Sequence, residues 1–108
     1  MSLSINVAET KQLLDSGVPL RLIDVREADE FAICKIEGAE LLPLSIFAEQ
    51  FFNRLPHTGE RILLYCHHGM RSMRAAEYLA KRGYSNVSSV EGGIDAWSQQ
   101  IDPAVARY

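Results

Sequence analysis

The chain of 108 residues is 47% hydrophobic and 23% charged, which is the composition of an ordinary globular domain. Its length predicts one domain over residues 1–108, because two half-length domains would each struggle to build a stable core. The net charge of −3 argues against nucleic-acid binding, which normally uses a basic surface. The longest apolar run, residues 62–66, is far shorter than the roughly 20 residues of a membrane-spanning helix.

The amino terminus has neither the basic region nor the apolar stretch of a secretory signal, so we expect a cytoplasmic protein. Cys34 and Cys66 are then expected to be free thiols, because disulfides are rare in that compartment. Neither cysteine has the spacing of a structural zinc site, and we predict no metal and no other cofactor. The chemistry that remains open to the cysteines is that of a single reactive thiol.

Apolar patterns alternate along the chain between those of helices and those of strands. Asn6 and Glu9 have the spacing of a capping box for a first helix, which Gly17 ends. The strands predicted after it are residues 20–25, 39–42, 61–66 and 86–90, and the helices are 45–55, 72–82 and 94–101. This alternation predicts an α/β domain with a largely parallel sheet, in which ligands bind beyond the carboxyl ends of the strands.

The most apolar predicted strand ends in residues 66–72, which read Cys-His-His-Gly-Met-Arg-Ser. The N–H groups of such a loop and of the helix that follows point to one spot, where they stabilise a thiolate or an oxyanion. His67, His68 and Arg71 add donors or positive charge, and Gly69 permits a sharp turn. We interpret Cys66 as a reactive thiol; the alternative is an inert, buried cysteine, since free cysteines are often buried.

Four segments of the chain carry family motifs in a fixed order: residues 22–27 (Leu-Ile-Asp-Val-Arg-Glu), 36–39 (Ile-Glu-Gly-Ala), 65–72, and 90–97 (Val-Glu-Gly-Gly-Ile-Asp-Ala-Trp). These segments resemble those of the single-domain rhodaneses, a family of sulfurtransferases. The resemblance extends over nearly the whole chain. One departure is the pair Cys34-Lys35, which stands where the family usually has Gly-His in a surface turn. The resemblance implies a rhodanese-like domain with a central sheet of about five strands and helices on both faces.

The resemblance also implies that Cys66 accepts a sulfane sulfur from a donor such as thiosulfate, forms a persulfide, and passes the sulfur to cyanide or a thiol. Backbone N–H groups of the loop hold the sulfur in this mechanism, and Arg71 binds the anionic donor. The expected partners are a small donor and a small or protein acceptor, with neither nucleic acid nor membrane involved. The residues predicted to bind the substrate are Arg71, His67, His68, Gly69, Met70 and Ser72.

Several side chains near this loop have structural alternatives. For Arg71 the alternative is an ion pair with a structural carboxylate. Asp24 and Arg26 are predicted to form a buried or half-buried charged pair that fixes neighbouring loops. No catalytic role is predicted for either residue. Trp97 is predicted to lie in the core, with substrate stacking as the lesser alternative. Cys34 is predicted to be a packing or surface thiol rather than one that relays sulfur.

Other functions fit the same pattern less well. Phosphatases that share this fold use a Cys-x5-Arg loop, whereas only four residues separate Cys66 from Arg71, and the smaller loop suits one sulfur atom better than a phosphate. An arsenate reductase meets the same size problem. Non-catalytic rhodanese modules commonly lack the cysteine that is present here. A persulfide carrier that hands its sulfur to a protein shares the first half-reaction, so that alternative stays open.

Overall fold

The computed structural model describes residues 3–55 and 57–108. The strands are β1 (Ser4–Ile5), β2 (Leu20–Asp24), β3 (Glu40–Leu41), β4 (Arg61–Tyr65) and β5 (Val87–Val90). The helices are α1 (Val7–Ser16), α2 (Ala28–Ile33), α3 (Leu44–Arg54), α4 (Met70–Lys81) and α5 (Gly93–Gln100). The strands form one sheet in the order β1-β5-β4-β2-β3, and all four pairings are parallel.

Helices cover both faces of this sheet, which confirms the predicted fold class. Side chains alternate between the two faces along a strand, so neighbours in β4 enter different layers of the core. Leu64 packs in the layer that holds Leu79 of α4 and residues of α3. Leu63 packs in the opposite layer with residues of α1 and with Trp97 of α5. Trp97 is buried, as its spacing from Ile94 predicted.

The first helix begins and ends as its sequence predicted. The side chain of Asn6 accepts a hydrogen bond from the Glu9 N–H at 2.8 Å, and Gly17 ends the helix in the left-handed conformation with φ of 77°. The other predicted elements are present, and their ends differ from the prediction by at most two residues; α4, for example, begins at Met70 rather than at residue 72. None of the helices in the described part of the chain is long and apolar enough to cross a membrane.

Two elements were missed by the sequence patterns. Strand β1 is only two residues long, too short to show an alternation. Helix α2 contains no buried residue, so it lacks the apolar stripe by which a helix is recognised. Strand β1 extends the sheet beyond β5, and α2 matters for the site because it contributes an acidic side chain described below.

Candidate active site

Cys66 follows β4 directly, and only 1% of the residue is exposed. Its Sγ accepts hydrogen bonds from the Gly69 N–H at 3.0 Å and from the Ser72 N–H at 3.4 Å. The Ser72 hydroxyl is a third donor, with Oγ 3.5 Å from the sulfur. Hydrogen bonds to an ionised acceptor are stronger than those to a neutral one, so these donors are placed to hold a negatively charged atom at this position.

The turn at Gly69 brings these donors to the sulfur. Gly69 precedes α4 with φ of 111°, a conformation that suits glycine. A side chain there would also approach the next loop, because its Cβ would lie 3.3 Å from the backbone nitrogen of Gly92. After this turn the first N–H groups of α4 have no partner within the helix, and Ser72 directs its own to Cys66.

Helix α5 holds the same loop from the other side. The Ile94 N–H donates to the Cys66 carbonyl at 2.9 Å, and the Asp95 N–H donates to the His67 carbonyl at 3.1 Å. The backbones approach so closely that a Cβ on Gly93 would lie 2.3 Å from the Cys66 carbonyl oxygen. In a trans peptide the C=O and N–H groups point in opposite directions, so these contacts turn the following N–H groups away from α5.

Ser72 is held in place by Ser89, a residue of β5 that the sequence patterns did not single out. The two hydroxyl oxygens are 2.7 Å apart, and both side chains are buried. The Ser72 hydroxyl also lies 3.2 Å from the carbonyl of Gly69. A serine within a buried strand was the available signal for Ser89, because a buried hydroxyl needs a hydrogen-bond partner.

Arg71 forms a forked ion pair with Glu30 of α2. Its Nη1 and Nη2 lie 2.7 and 2.9 Å from the two carboxylate oxygens. The hydrogen bonds from Arg71 lower the pKa of Glu30 to about 2, although burial opposes the shift, and the same contact raises the pKa of Arg71. The arginine thus makes the structural ion pair that was its alternative role, and donor binding by Arg71 stays a prediction.

A cavity of about 330 Å³ opens beside Cys66. It is lined by Cys66, His67, His68, Met70, Arg71 and Arg74. The structure therefore brings four of the predicted substrate-binding residues to this cavity, while Gly69 and Ser72 contact the sulfur itself. Arg74 was not predicted; it lies three residues after Arg71, so both face the same side of α4.

The two histidines of the loop stack on each other with ring centroids 3.9 Å apart, and Tyr108 stacks on His67 at 4.0 Å. Burial lowers the pKa of His67, and the neighbouring His68 lowers it further. Within residues 3–55 and 57–108, His67, His68 and Asp95 form a group whose potential metal-ligand atoms all lie within 4.8 Å of one another. The Nε2 atom of His67 is buried and has no hydrogen-bond partner among the described residues.

The loop after β2 lies next to this site and contains the predicted charged pair. Asp24 and Arg26 are both fully buried, with Nη2 2.6 Å from Oδ2, which confirms the predicted charged pair. Although burial lowers it, hydrogen bonds to Asp24 and Tyr108 raise the pKa of Arg26 overall. The Tyr108 hydroxyl also donates to Glu30 at 2.8 Å. The half-buried Cys34 lies beside Arg26, with Sγ 3.8 Å from Nη1, a position consistent with a packing thiol.

Comparison with known proteins agrees with this geometry. The chain is 31% identical to the thiosulfate sulfurtransferase GlpE of Pseudoalteromonas translucida, over 95% of each protein. A crystal structure of a rhodanese-like domain protein from Staphylococcus aureus superimposes with a TM-score of 0.82 and 31% identity, over 100% of this chain and 99% of that one.

Longer proteins contain similar segments. The chain is 38% identical over 106 residues to the probable adenylyltransferase/sulfurtransferase MoeZ of Mycobacterium tuberculosis, and the match covers 97% of this chain but only 27% of that protein. The chain thus spans about a quarter of the length of this relative. The family model described as Rhodanese-like domain matches residues 6–100 of this chain. The chain therefore belongs to the rhodanese-like domain family.

Proposed function

We propose that this protein is a sulfurtransferase that moves a sulfane sulfur from an anionic donor such as thiosulfate to cyanide or a thiol. The observation that carries the proposal is the set of three hydrogen-bond donors directed at Sγ of Cys66. Similarity to a thiosulfate sulfurtransferase along nearly its whole length supports the choice of donor.

In the first half-reaction the Cys66 thiolate attacks the outer sulfur of thiosulfate. A new S–S bond forms to Cys66 while the S–S bond of thiosulfate breaks, and sulfite leaves with the bonding electrons. The Cys66 sulfur becomes neutral, because its lone pair forms the new bond, and the transferred sulfur keeps the negative charge that it carried in thiosulfate. The N–H groups of the loop and of α4 stabilise this charge in the transition state as well as in the product.

In the second half-reaction the acceptor attacks the outer sulfur and releases the Cys66 thiolate. Cyanide is converted to thiocyanate by the sulfur that it accepts, and a thiolate acceptor is converted to a persulfide. Neither half-reaction transfers a proton at the sulfur, so a general base is unnecessary once the thiolate exists. The lowered pKa of His67 also fits a neutral imidazole at the rim of the site rather than a permanent cation.

Arg71 supplies positive charge for the donor in this proposal. Glu30 occupies two of the five N–H donors of the guanidinium, and one side of the group lies on the cavity beside Cys66. Further donors of Arg71 are therefore available to the sulfonate oxygens of thiosulfate. Arg74 adds a second positive charge to the same cavity.

Mass spectrometry tests the persulfide directly. After treatment with thiosulfate, the protein should gain one sulfur, about 32 Da, and lose it again on addition of cyanide. The gain should disappear in Cys66→Ser and persist in Cys34→Ser, which serves as the matched thiol control. Full thiocyanate formation by Cys66→Ser would overturn the proposal.

The second candidate function is that of a carrier that passes its persulfide to another protein. Met70 favours it, because this apolar side chain is 75% exposed at the mouth of the cavity, where a protein acceptor would contact it. Similarity to segments of longer sulfurtransferases also favours it. Rapid-mixing experiments separate the two functions: a carrier loads one sulfur quickly but releases it slowly to cyanide and small thiols, whereas an enzyme turns over repeatedly.

A further inference from the structure

We propose that His67, His68 and Asp95 form a binding site for a divalent transition-metal ion such as Zn²⁺, at the rim of the Cys66 cavity. The two histidines belong to the loop that follows Cys66, and Asp95 lies in the first turn of α5. The contact between the Asp95 N–H and the His67 carbonyl fixes these two segments against each other.

The geometry of the group is close to that of a metal site. Its three potential ligand atoms lie within 4.8 Å of one another, and Nε2 of His68 is already 3.9 Å from Oδ2 of Asp95. Ligands bonded at about 2.0–2.1 Å around a tetrahedral ion stand roughly 3.3 Å apart. Closing the group around an ion requires His68 to rotate out of its stack on His67, because imidazole lone pairs lie in the ring plane, and its 64% exposed side chain has room to do so.

The donor atoms also select the class of metal. Two imidazoles and one carboxylate suit Zn²⁺, Ni²⁺ or Cu²⁺, whereas Mg²⁺ and Ca²⁺ prefer oxygen ligands alone. His67 also has an Nε2 atom that is buried without a hydrogen-bond partner among the described residues, and a polar atom at such a place normally has one.

Two groups compete with a metal for Asp95, and neither occupies the carboxylate fully. Arg107 donates to Oδ1 at 3.0 Å, but its side chain is 61% exposed, and ion pairs of this kind are weak. Gln99 donates to Oδ2 at 2.8 Å and leaves that oxygen a second lone pair. An ion on Oδ2 can therefore bind while Arg107 stays on Oδ1.

A metal at this site would affect the reaction at Cys66, an effect that rests on the proposed function. His67 and His68 line the same cavity as Cys66, so a bound ion narrows the path by which the donor reaches the sulfur. We expect Zn²⁺ to inhibit sulfur transfer reversibly.

Metal binding is measured first, without the reactive thiol. The untagged full chain carrying Cys66→Ser is titrated with Co²⁺, whose visible bands report its coordination, and then with Zn²⁺ in competition. We expect one ion to bind with micromolar affinity and without the near-ultraviolet band of a cobalt–thiolate bond. His68→Ala and Asp95→Asn, each added to Cys66→Ser, should weaken binding at least about tenfold. Glu91→Gln is the control for loss of a negative charge, and His57→Ala is the control for loss of an unrelated histidine. Neither variant should change the affinity for the metal ion.

Inhibition is measured in the protein with Cys66 intact. Zn²⁺ should lower thiocyanate formation, and a chelator should restore it. Asp95→Asn should need at least about ten times more Zn²⁺ for half-inhibition of its own metal-free rate. Failure of Cys66→Ser to bind an ion, or equal binding by Asp95→Asn, would overturn the metal site. Saturable binding in a protein without sulfur transfer would instead contradict the proposed function and leave the metal site standing.

Discussion

The loops after β2 and β4 lie side by side at the carboxyl edge of the sheet, yet they use their polar groups in opposite ways. After β2, Asp24 and Arg26 bind each other with both side chains fully buried. After β4, three donors from the loop and α4 point at one sulfur atom. The first loop satisfies its charges internally, whereas the second concentrates donors on an atom that borders a cavity. A polar loop at a strand end is structural or reactive according to where its donors point.

The largest expected effect is on the stability that the β2 loop provides. Asp24→Asn leaves the Arg26 charge buried without its counter-ion, and breaking such a pair costs about 3–5 kcal/mol. Glu40→Gln is the matched control, because Glu40 pairs with Arg21 at a partly exposed position where about 1 kcal/mol or less is expected. Urea unfolding of both variants measures the difference. Equal losses would mean that the buried pair is no more important than the exposed one.

In the loop after β4, an added side-chain atom at Gly93 should displace the backbone around Cys66. Gly93→Ala places a Cβ 2.3 Å from the Cys66 carbonyl oxygen, so the loop must move away from α5. Gly17→Ala is the matched control, because Gly17 also has a positive φ but has no atom within 4 Å of the added Cβ. We expect Gly93→Ala to cost about 1–3 kcal/mol more than Gly17→Ala in urea unfolding. Persulfide formation should fall with it, and a normally active Gly93→Ala would contradict the close approach.

A substitution of Arg71 tests whether this arginine, which is ion-paired with Glu30, also binds the sulfur donor. Arg71→Met should raise KM for thiosulfate by about tenfold or more, because a charge-assisted hydrogen bond contributes about 1.5–3 kcal/mol. The cost in stability should stay near 1 kcal/mol or below, in contrast to Asp24→Asn. Arg82→Met, directly after the same helix and outside the cavity, is the control. An unchanged KM would leave Arg71 with its ion pair alone.

The pH dependence of this effect follows from Glu30. Its pKa is lowered to about 2, so the carboxylate remains charged at every pH used for assay. The stability that the ion pair contributes is present above the unfolded pKa of about 4.3 and is lost only as the pH falls toward 2. The ratio of KM between Arg71→Met and the unchanged chain should therefore be constant from about pH 5 to pH 9. A ratio that changes in this range would show that Glu30 does not stay ionised.

The smallest expected effect concerns the residue that positions a donor. Ser89→Ala removes one partner of the Ser72 hydroxyl, the one 2.7 Å away, which should slow alkylation of Cys66 by up to about tenfold, the equivalent of one hydrogen bond. Ser88→Ala is the control from the same strand, because Ser88 interacts with Arg61 instead. Alkylation rates with iodoacetamide, measured side by side, decide between them. Equal rates in both variants would show that Ser72 needs no support from β5.

The cysteine loop could be predicted because its residues are contiguous and follow a strongly apolar strand. Glu30 could not, because it lies 41 residues before Arg71 on a helix that buries no side chain. Asp95 and Ser89 were missed for the same reason: their contacts arise from the packing of α5 and β5, which no local periodicity records. Sequence patterns thus located the loop around Cys66, while the contacts that support this loop depended on the tertiary fold.

The two outermost strands of the sheet have a further consequence. Both β1 and β3 pair over only two residues, so each edge presents few backbone groups to another chain. Long exposed edges promote aggregation and accidental strand addition between molecules, and short ones discourage both. A domain with such short edge strands can stand at high concentration, or be joined to other domains in one polypeptide, without strands of other molecules or domains adding to its sheet.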